Sequence, residues 1–272
     1  MKKLIQAACG TNTGKIRRNN EDNICFDGYF LDADHDVAIQ QTTIQGGTGH
    51  VAVFDGMGGE NYGELASYAA AKSMATMKKS WSDQFRPWEW RLNQLVTKLN
   101  QAVLDAKAEA MTTRMGTTMV SLSFTRRNVY VSNIGDSRAY RLRDGELCQL
   151  SVDHVASCPR RPGGKPPLTQ HLGIDPEDML IEPYIMKHSI QPGDVYLLCS
   201  DGLTDMLTDL EITDIMQNNE APATCVDQLI DTALEHGGRD NITVVICRMP
   251  ERRKSNGRKT NSRTVPGLED GT

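Results

Sequence analysis

The segment Val53-Phe54-Asp55-Gly56-Met57-Gly58-Gly59 joins an apolar run to an aspartate and a glycine-rich turn. Four other segments also place an aspartate beside a strand-like run, and they lie at 17–22, 134–138, 200–202 and 239–241. We therefore expect folding to bring these carboxylates into one acidic pocket. Only hard divalent cations, which prefer oxygen ligands, would stabilise such a pocket.

The spacing of the apolar residues predicts an α+β fold. Short apolar or alternating runs predict strands at 4–9, 23–26, 50–54, 117–124, 129–133, 137–142, 146–150, 195–199 and 242–247. Helical spacing predicts helices at 60–79, 88–111, 208–218 and 222–236. Pro87 suits the start of the second helix, and Arg143-Asp144-Gly145 predicts a tight hairpin. Strands in clusters and helices in pairs indicate antiparallel sheets with helical layers, and not a βαβ repeat.

Length and charge limit the class of protein. A chain of 272 residues with 39% hydrophobic content can bury one core of about 230–250 residues, so we expect a single domain over 1–250. The formal net charge of −5 argues against general nucleic-acid binding, which needs a basic face to replace phosphate counterions. We expect a monomer.

The seven cysteines are widely spaced and form no C-x-x-C pair. Neither a disulfide framework nor a structural zinc site is therefore expected, and the pattern is typical of a reducing, cytoplasmic compartment. No stretch approaches the roughly 18 apolar residues of a membrane span, so no membrane partner is expected either. Cys247 and Arg253 have the C-x₅-R spacing of cysteine phosphatases, but no glycines between them supply a cradle of backbone amides.

The last segment, 251–272, differs in composition from the rest. It is basic and polar with two aliphatic residues, so it is predicted to be a disordered tail that cannot bury a core. A solvated terminus is the simpler interpretation, and a targeting or partner-binding arm is the alternative.

Taken together, the aspartate segments and their neighbours resemble the PP2C-type (PPM) metal-dependent serine/threonine phosphatases of the bacterial branch. The resemblance extends over about residues 4–248, in the family's order. It rests on Arg17…Asn20-Glu21-Asp22, the segment 53–59, Gly116-Thr117-Thr118, Asn133-Ile134-Gly135-Asp136-Ser137-Arg138-Ala139-Tyr140, Asp153-His154, Leu172-Gly173, Leu198-Cys199-Ser200-Asp201-Gly202-Leu203-Thr204-Asp205 and Asp240-Asn241-Ile242-Thr243-Val244. An Asp-Gly turn alone is common, whereas this ordered set is highly specific.

The resemblance implies a four-layer α-β-β-α sandwich, in which two antiparallel sheets are flanked by paired antiparallel helices and metals bind at one end. By the same resemblance Asp55 would bridge two metal ions, and Gly56 would offer its backbone carbonyl to the second. Asp201 and Asp240 would bind the first.

Four more residues receive roles from the resemblance. Asp136 would share a weaker third metal ion with Asp201, Glu21 would act through metal-bound water, and Asp22 would support the ligands from behind. Arg17 aligns with the family's phosphate-binding arginine, and its planar guanidinium can hold two phosphoryl oxygens. Because Arg18 is adjacent, a one-residue shift in this alignment stays open.

The chemistry agrees with these residue types. Mn²⁺ and Mg²⁺ prefer oxygen ligands and keep several waters, so a few carboxylates suffice for two core ions and a weaker third. A divalent site lowers the pKa of a bridging water, which would attack phosphorus directly without a phosphoenzyme intermediate. The expected substrates are phosphoserine and phosphothreonine in proteins, themselves products of a serine/threonine kinase.

Two features depart from the family. Met57 occupies the place of a histidine suggested as general acid in animal members, so another group, for example a metal-bound water, would protonate the leaving alkoxide. The flap, at roughly 154–180, is short and rich in proline and glycine. Its basic residues Arg160, Arg161 and Lys165 either meet acidic phosphoproteins or belong to an ordinary solvated loop. His154 is predicted to be a hydrogen-bonded structural residue.

A second function class stays open, namely a non-catalytic domain that binds phosphoproteins on the same fold. A missing metal aspartate would favour it, and none of the four main aspartates is missing. Chelator sensitivity of phosphate release separates the two hypotheses.

Overall fold

Two antiparallel β-sheets lie face to face, and helices cover the outer face of each. The computed structural model describes residues 4–45, 49–57, 62–77, 86–157 and 165–251. The strands are β1 (Leu4–Asn12), β2 (Asp22–Phe26), β3 (Tyr29–Phe30), β4 (Val37–Gln45), β5 (Gly49–Met57), β6 (Gly116–Thr117), β7 (Met119–Phe124), β8 (Asn128–Ile134), β9 (Arg138–Arg143), β10 (Glu146–Gln149), β11 (Tyr184–Ser189), β12 (Val195–Cys199) and β13 (Ile242–Arg248). The helices are α1 (Gly63–Met77), α2 (Trp88–Glu109), α3 (Asp201–Thr204), α4 (Asp209–Asn218) and α5 (Pro222–Glu235).

Within the described residues, the first sheet has the strand order β10-β9-β12-β13-β1-β4 and the second has the order β11-β8-β7-β5-β2-β3. The strand β6 pairs with β5 outside the main ladder. All pairings are antiparallel. The predicted four-layer α+β sandwich is therefore confirmed.

The strand β12 shows how the sequence sets the layers. All five of its residues are buried. Alternate side chains point to opposite faces of the sheet, and both faces are covered. Tyr196 and Leu198 pack into the core between the sheets. Val195, Leu197 and Cys199 pack instead against α4 and α5. A strand that is covered on both faces thus appears as a continuous apolar run.

The helices lie in pairs as predicted. The pair α1 and α2 covers the second sheet, where α1 packs with small residues such as Ala66, Ala70 and Ala71. The pair α4 and α5 covers the first sheet. Pro87 is the N-cap of α2, and α4 begins with a capping box between Thr208 and Glu211.

The predicted hairpin after Arg143 is confirmed. Asp144 and Gly145 connect β9 to β10 and both have positive φ, 51° and 85°. Two consecutive residues in this region form the type I′ turn that matches the twist of paired strands.

The structure differs from the predicted strands in four places, the first being the two-residue strand β3, which was not predicted. The strands β4 and β11 lie at sheet edges and were not predicted, because their mixed polar sequences match their exposed positions. The predicted strand 117–124 is divided at Thr118, whose N–H donates to the carbonyl of Asp55 at 2.8 Å. The interruption turns β6 toward the end of β5.

No helix in the described ranges is long and apolar enough to cross a membrane. Cys9, Cys199, Cys225 and Cys247 are buried with free thiols. Most of the predicted tail, 252–272, and part of the predicted flap, 158–164, lie outside the described residues.

Candidate active site

The predicted aspartates meet at one end of the sandwich. Asp55 lies near the end of β5, and Asp22 faces it directly in the register with β2. Asp136 occupies the turn between β8 and β9, and Asp201 is the first residue of α3, directly after β12. Asp240 lies just before β13. Strand ends of both sheets therefore deliver the acidic residues, as the spacing of the motifs predicts.

These residues surround a cavity of about 760 Å³. Its lining consists of Ile16, Arg17, Arg18, Asn19, Glu21, Asp55, Gly56, Met57, Thr118, Asp136, Lys165, Pro166, Leu168, Asp201 and Asp240. Seven of the eight predicted site residues are in this set. The eighth, Asp22, is buried directly behind it.

Burial and the mutual repulsion of the carboxylates together set the electrostatics of the cavity. Burial, followed by the charges of Asp201, Asp22, Asp136 and Asp240, holds the pKa of Asp55 well above its usual range. Burial and Asp201 raise the pKa of Asp136 to about 6. A cluster of this kind gains stability from any cation that enters it.

Asp22 belongs to a polar network beneath the cavity. Its carboxylate accepts a hydrogen bond from the Ser200 hydroxyl at 2.8 Å. The Ser200 hydroxyl oxygen accepts from the Thr243 N–H at 3.0 Å, and the Thr243 hydroxyl lies 2.7 Å from that of Thr11. Burial raises the pKa of Asp22 to about 7, against the lowering effect of its hydroxyl partners. Asp22 therefore lies beneath the cavity, and its supporting role stays a prediction.

Backbone contacts fix the position of Asp55. Its N–H donates to the Thr118 hydroxyl at 3.1 Å, and its carbonyl accepts from the Thr117 hydroxyl at 2.9 Å. The next residue, Gly56, has no room for a side chain, because a Cβ there would lie 2.2 Å from the carbonyl oxygen of Gly63. The absence of a side chain at Gly56 therefore allows the backbone of β5 to lie against the start of α1.

The loops that carry Asp201 and Asp240 are also in close contact. A Cβ on Gly202 would lie 1.9 Å from the carbonyl oxygen of Asn241. Asn241 in turn accepts from the Glu21 N–H at 2.8 Å and donates to the carbonyls of Thr13 and Asn19. One asparagine thus joins three segments of the site.

Arg17 lies at the entrance of the cavity. Its guanidinium contacts the Asp240 carboxylate at 2.6 Å, and its side chain is 49% exposed, so half of it faces solvent. Arg18 also lines the cavity. Arg17 therefore contacts one of the predicted metal ligands, and its phosphate-binding role stays a prediction.

Glu21 lies beside the start of α1. Its side chain would be 2.7 Å from a Cβ placed on Gly63. Burial and the nearby charge of Glu64 raise the pKa of Glu21. Glu21 therefore lines the cavity next to the start of α1.

His154 has the structural role predicted for it. The imidazole Nδ1 of His154 accepts from the Gly135 N–H at 3.1 Å, and the backbone N–H of His154 donates to the Gly135 carbonyl at 2.9 Å. These bonds support the turn that carries Asp136. Arg138, the last residue of the Gly-Asp-Ser-Arg motif, forms a two-pronged ion pair with Asp153.

Lys165 and Asp205 contact the site, although the sequence assigned neither of them a role there. Asp205 ends the motif at 198–205, and Lys165 lies in no motif. The Lys165 ammonium contacts the Asp201 carboxylate and lies 2.9 Å from that of Asp205. It is also 3.8 Å from the Asp240 carboxylate. Lys165 was predicted only as a basic flap residue, because no local pattern shows which carboxylate a distant lysine will meet.

The donors present fit Mn²⁺ or Mg²⁺ in chemistry. They are oxygens from several carboxylates, the ligands that these hard cations prefer. Burial and neighbouring carboxylates raise the pKa of Asp55 and Asp136. In the part of the chain described, no three His, Cys, Asp or Glu side chains are arranged as a finished metal cage. Arg17 and Lys165 contact Asp240 and Asp201 in this arrangement.

Comparison with known proteins identifies the family. The family model described as "Stage II sporulation protein E (SpoIIE)" matches residues 45–250, which is most of the chain. A serine/threonine phosphatase, stp, of Listeria welshimeri is 31% identical over 266 residues, covering 89% of this chain and 95% of the relative. The chain belongs to the bacterial PP2C-type serine/threonine phosphatases.

Other PP2C-type relatives agree. The serine/threonine protein phosphatase PstP of Mycobacterium tuberculosis is 31% identical over 262 residues, which cover 90% of this chain and 45% of PstP. The crystal structure of the Mycobacterium tuberculosis phosphatase PstP/Ppp has a TM-score of 0.73 at 28% identity and covers 92% of this chain and all of that one. A structure of the PstP catalytic domain in complex with two manganese ions has a TM-score of 0.71 at 28% identity, with 91% of this chain covered and all of that chain.

Proposed function

We propose that this PP2C-type enzyme hydrolyses phosphoserine and phosphothreonine in proteins with Mn²⁺ or Mg²⁺ bound in the acidic cavity. The observation that carries the proposal is the convergence of Asp55, Asp136, Asp201 and Asp240 on one cavity with Arg17 at its entrance. The phosphatases named among its relatives and the two manganese ions of PstP support it.

The proposed ligand set is the one that the family resemblance implies, and the convergence of these residues on one cavity supports it. Asp55, Asp201 and Asp240 would hold two core ions, together with the backbone carbonyl of Gly56. Asp136 lies close enough to Asp201 for the charge of Asp201 to raise its pKa, and it would help to hold a weaker third ion. Glu21 would act through water.

When bound, the divalent ions would lower the pKa of a water and compensate the charge of the phosphate ester. The residues of the chain would then orient the substrate. Arg17 would bind phosphoryl oxygens through its planar guanidinium, after leaving its contact with Asp240.

Direct attack of water on phosphorus, without a phosphoenzyme, stays a prediction that the cysteines support. Burial raises the pKa of the Cys199 thiol to about 12, so it is not a thiolate at neutral pH. Cys247 is fully buried within β13, and burial raises its pKa as well. Neither thiol therefore resembles the nucleophile of a cysteine phosphatase.

The leaving alkoxide needs a proton that Met57 cannot supply. Met57 is partly buried and lines the cavity, but a thioether is neither an acid nor a good ligand for a hard cation. Divalent ions in the cavity would acidify nearby water, and that water would then supply the proton in place of a side chain.

Metal-dependent phosphate release tests the proposal. We expect the purified protein to hydrolyse p-nitrophenyl phosphate and phosphothreonine or phosphoserine peptides with Mn²⁺, to stop after EDTA treatment and to recover when Mn²⁺ is restored. Turnover that persists in EDTA would contradict the metal site. Peptide binding without turnover would instead indicate a non-catalytic phosphoprotein-binding domain.

A further inference from the structure

Lys165 makes an unusual set of contacts for a lysine in a proline- and glycine-rich segment. Its ammonium contacts Asp201, lies 2.9 Å from the Asp205 carboxylate and 3.8 Å from that of Asp240. Two of these three partners are proposed ligands of the first metal ion. The Lys165 side chain is 42% exposed, so solvent screens the contacts only in part.

The positive charge of the ammonium reduces the repulsion among the carboxylates, as a metal ion would. The clustered carboxylates repel one another, and the charge of Lys165 lowers the pKa of both Asp201 and Asp136. A lysine ammonium is a compact point charge on a flexible stem, so it can enter and leave such a cluster.

The ammonium and a divalent ion would compete for the acceptor positions of the same carboxylate. The ammonium donates to Oδ2 of Asp201, and a metal ion would need lone pairs of the same carboxylate. Both cations also bring like charges to within a few ångströms of each other, which raises the cost of simultaneous occupancy.

Asp205 gives Lys165 a second partner outside the proposed metal ligands. It lies one helical turn after Asp201, and its N–H donates to the Asp201 carbonyl at 2.8 Å. Its carboxylate is 38% exposed, which places it at the rim. Asp205 thus keeps the ammonium near the site whichever cation contacts Asp201.

We propose that Lys165 is a built-in competitor of the metal ions for Asp201 and Asp240, and that it sets the metal concentration at which the site fills. The inference rests on the proposed metal site. It assigns to a flap residue a function in metal affinity, separate from any contact with the phosphoprotein.

Calorimetric titration with Mn²⁺ tests this competition directly. We expect Lys165→Met, which keeps the length and apolar stem of the side chain, to bind Mn²⁺ on the order of tenfold more tightly than the wild type, because a competing half-buried ion pair is gone. Lys165→Arg keeps the positive charge and should stay near the wild-type affinity. Lys98→Met, on the exposed face of α2, is the matched control and should change nothing.

Thermal unfolding gives a second readout that a merely structural lysine would not reproduce. In EDTA, Lys165→Met should unfold at a lower temperature than the wild type, because the carboxylates lose their only nearby lysine partner among the described residues. In saturating Mn²⁺ the difference should vanish or reverse. A lysine that only supports the fold would lower the unfolding temperature equally in both conditions.

The outcomes separate this inference from the proposed function. Failure of folded wild type to bind Mn²⁺ would overturn both. If the wild type binds Mn²⁺ and hydrolyses p-nitrophenyl phosphate while Lys165→Met binds Mn²⁺ with unchanged or weaker affinity, only the competition is wrong.

Discussion

Single carboxylates decide whether the cavity can bind its metal ions. We expect Asp55→Asn and Asp240→Asn each to lower Mn²⁺-dependent turnover of p-nitrophenyl phosphate by about 10²–10³-fold, since metal catalysis contributes several kcal/mol and each 1.36 kcal/mol is a factor of ten. Asp227→Asn, on the exposed face of α5, is the control. Retained circular dichroism with wild-type rates in either site variant would show that the assigned roles are wrong.

The two neighbouring arginines are expected to differ. Arg17→Ala should reduce kcat/KM for a phosphopeptide about 10- to 100-fold, because a charge-assisted contact to phosphate is worth roughly 1.5–3 kcal/mol. Arg18→Ala should have a much smaller effect. Steady-state kinetics of both variants will show which arginine contacts the phosphate. The reverse ranking would assign that contact to Arg18.

At this scale, the acidic residues and Arg17 could be predicted from the sequence, but the contacts of Lys165 with the aspartates could not. Asp55, Asp136, Asp201 and Asp240 lie in short motifs whose order along the chain is specific, and the structure brings them together. Lys165 lies in no such motif. Its contacts depend on how the flap crosses the site, a long-range property that no local spacing encodes.

Among the elements, α3 and the segment before β13 are in close backbone contact at Gly202 and Asn241. Gly202 has no positive φ, so the constraint on this position is crowding by the Asn241 backbone. We expect Gly202→Ala to destabilise the fold by about 2–3 kcal/mol and to weaken Mn²⁺ binding, because the loops that carry Asp201 and Asp240 must separate. Chemical denaturation and calorimetry will measure the two effects.

Gly193 provides the comparison for this substitution. A Cβ there would meet nothing within 4 Å, but its φ of +85° is unfavourable for alanine. Gly193→Ala should therefore cost about 1 kcal/mol and leave Mn²⁺ affinity unchanged. If both variants lose the same free energy of unfolding and keep the wild-type Mn²⁺ affinity, the close contact at Gly202 does not position the metal ligands.

Central and edge elements differed in how well they could be predicted. The strand β12 was predicted with its observed bounds because it is buried on both faces, and a short continuous apolar run is typical of such a strand. The strand β4 is nine residues long, yet its exposed side gives it glutamines and threonines. Edge position removes the apolar signal on which the prediction depends.

At the scale of the whole molecule, Asp22 connects the two sheets through hydrogen bonds. Its pKa is raised to about 7, which makes the stability of the fold depend on pH near neutrality. Asp22 lies on β2 of the second sheet, and its partners Ser200 and Thr243 belong to the first sheet and the turn that follows β12. Because its pKa in the folded state is raised to about 7, the folded protein holds this proton more tightly than the unfolded chain does. Its contribution to stability therefore falls as pH rises from the ordinary aspartate range through about 7.

An Asp22→Asn variant should remove this pH dependence. In EDTA we expect the variant to gain thermal stability relative to the wild type between about pH 5 and about pH 8, because the amide does not become charged. Scanning calorimetry over this range measures the change. A difference between the proteins that stays constant with pH would contradict the raised pKa.

The pairing of β13 with both β1 and β12 affects how the protein is made. In the first sheet β13 separates β1 and β4 from β12, β9 and β10, although it is the last of the described strands to leave the ribosome. Until it arrives, that sheet consists of two unconnected halves, and long-range closures of this kind slow folding. Asp240 directly precedes this strand, so its place in the cavity depends on the closure that completes the first sheet.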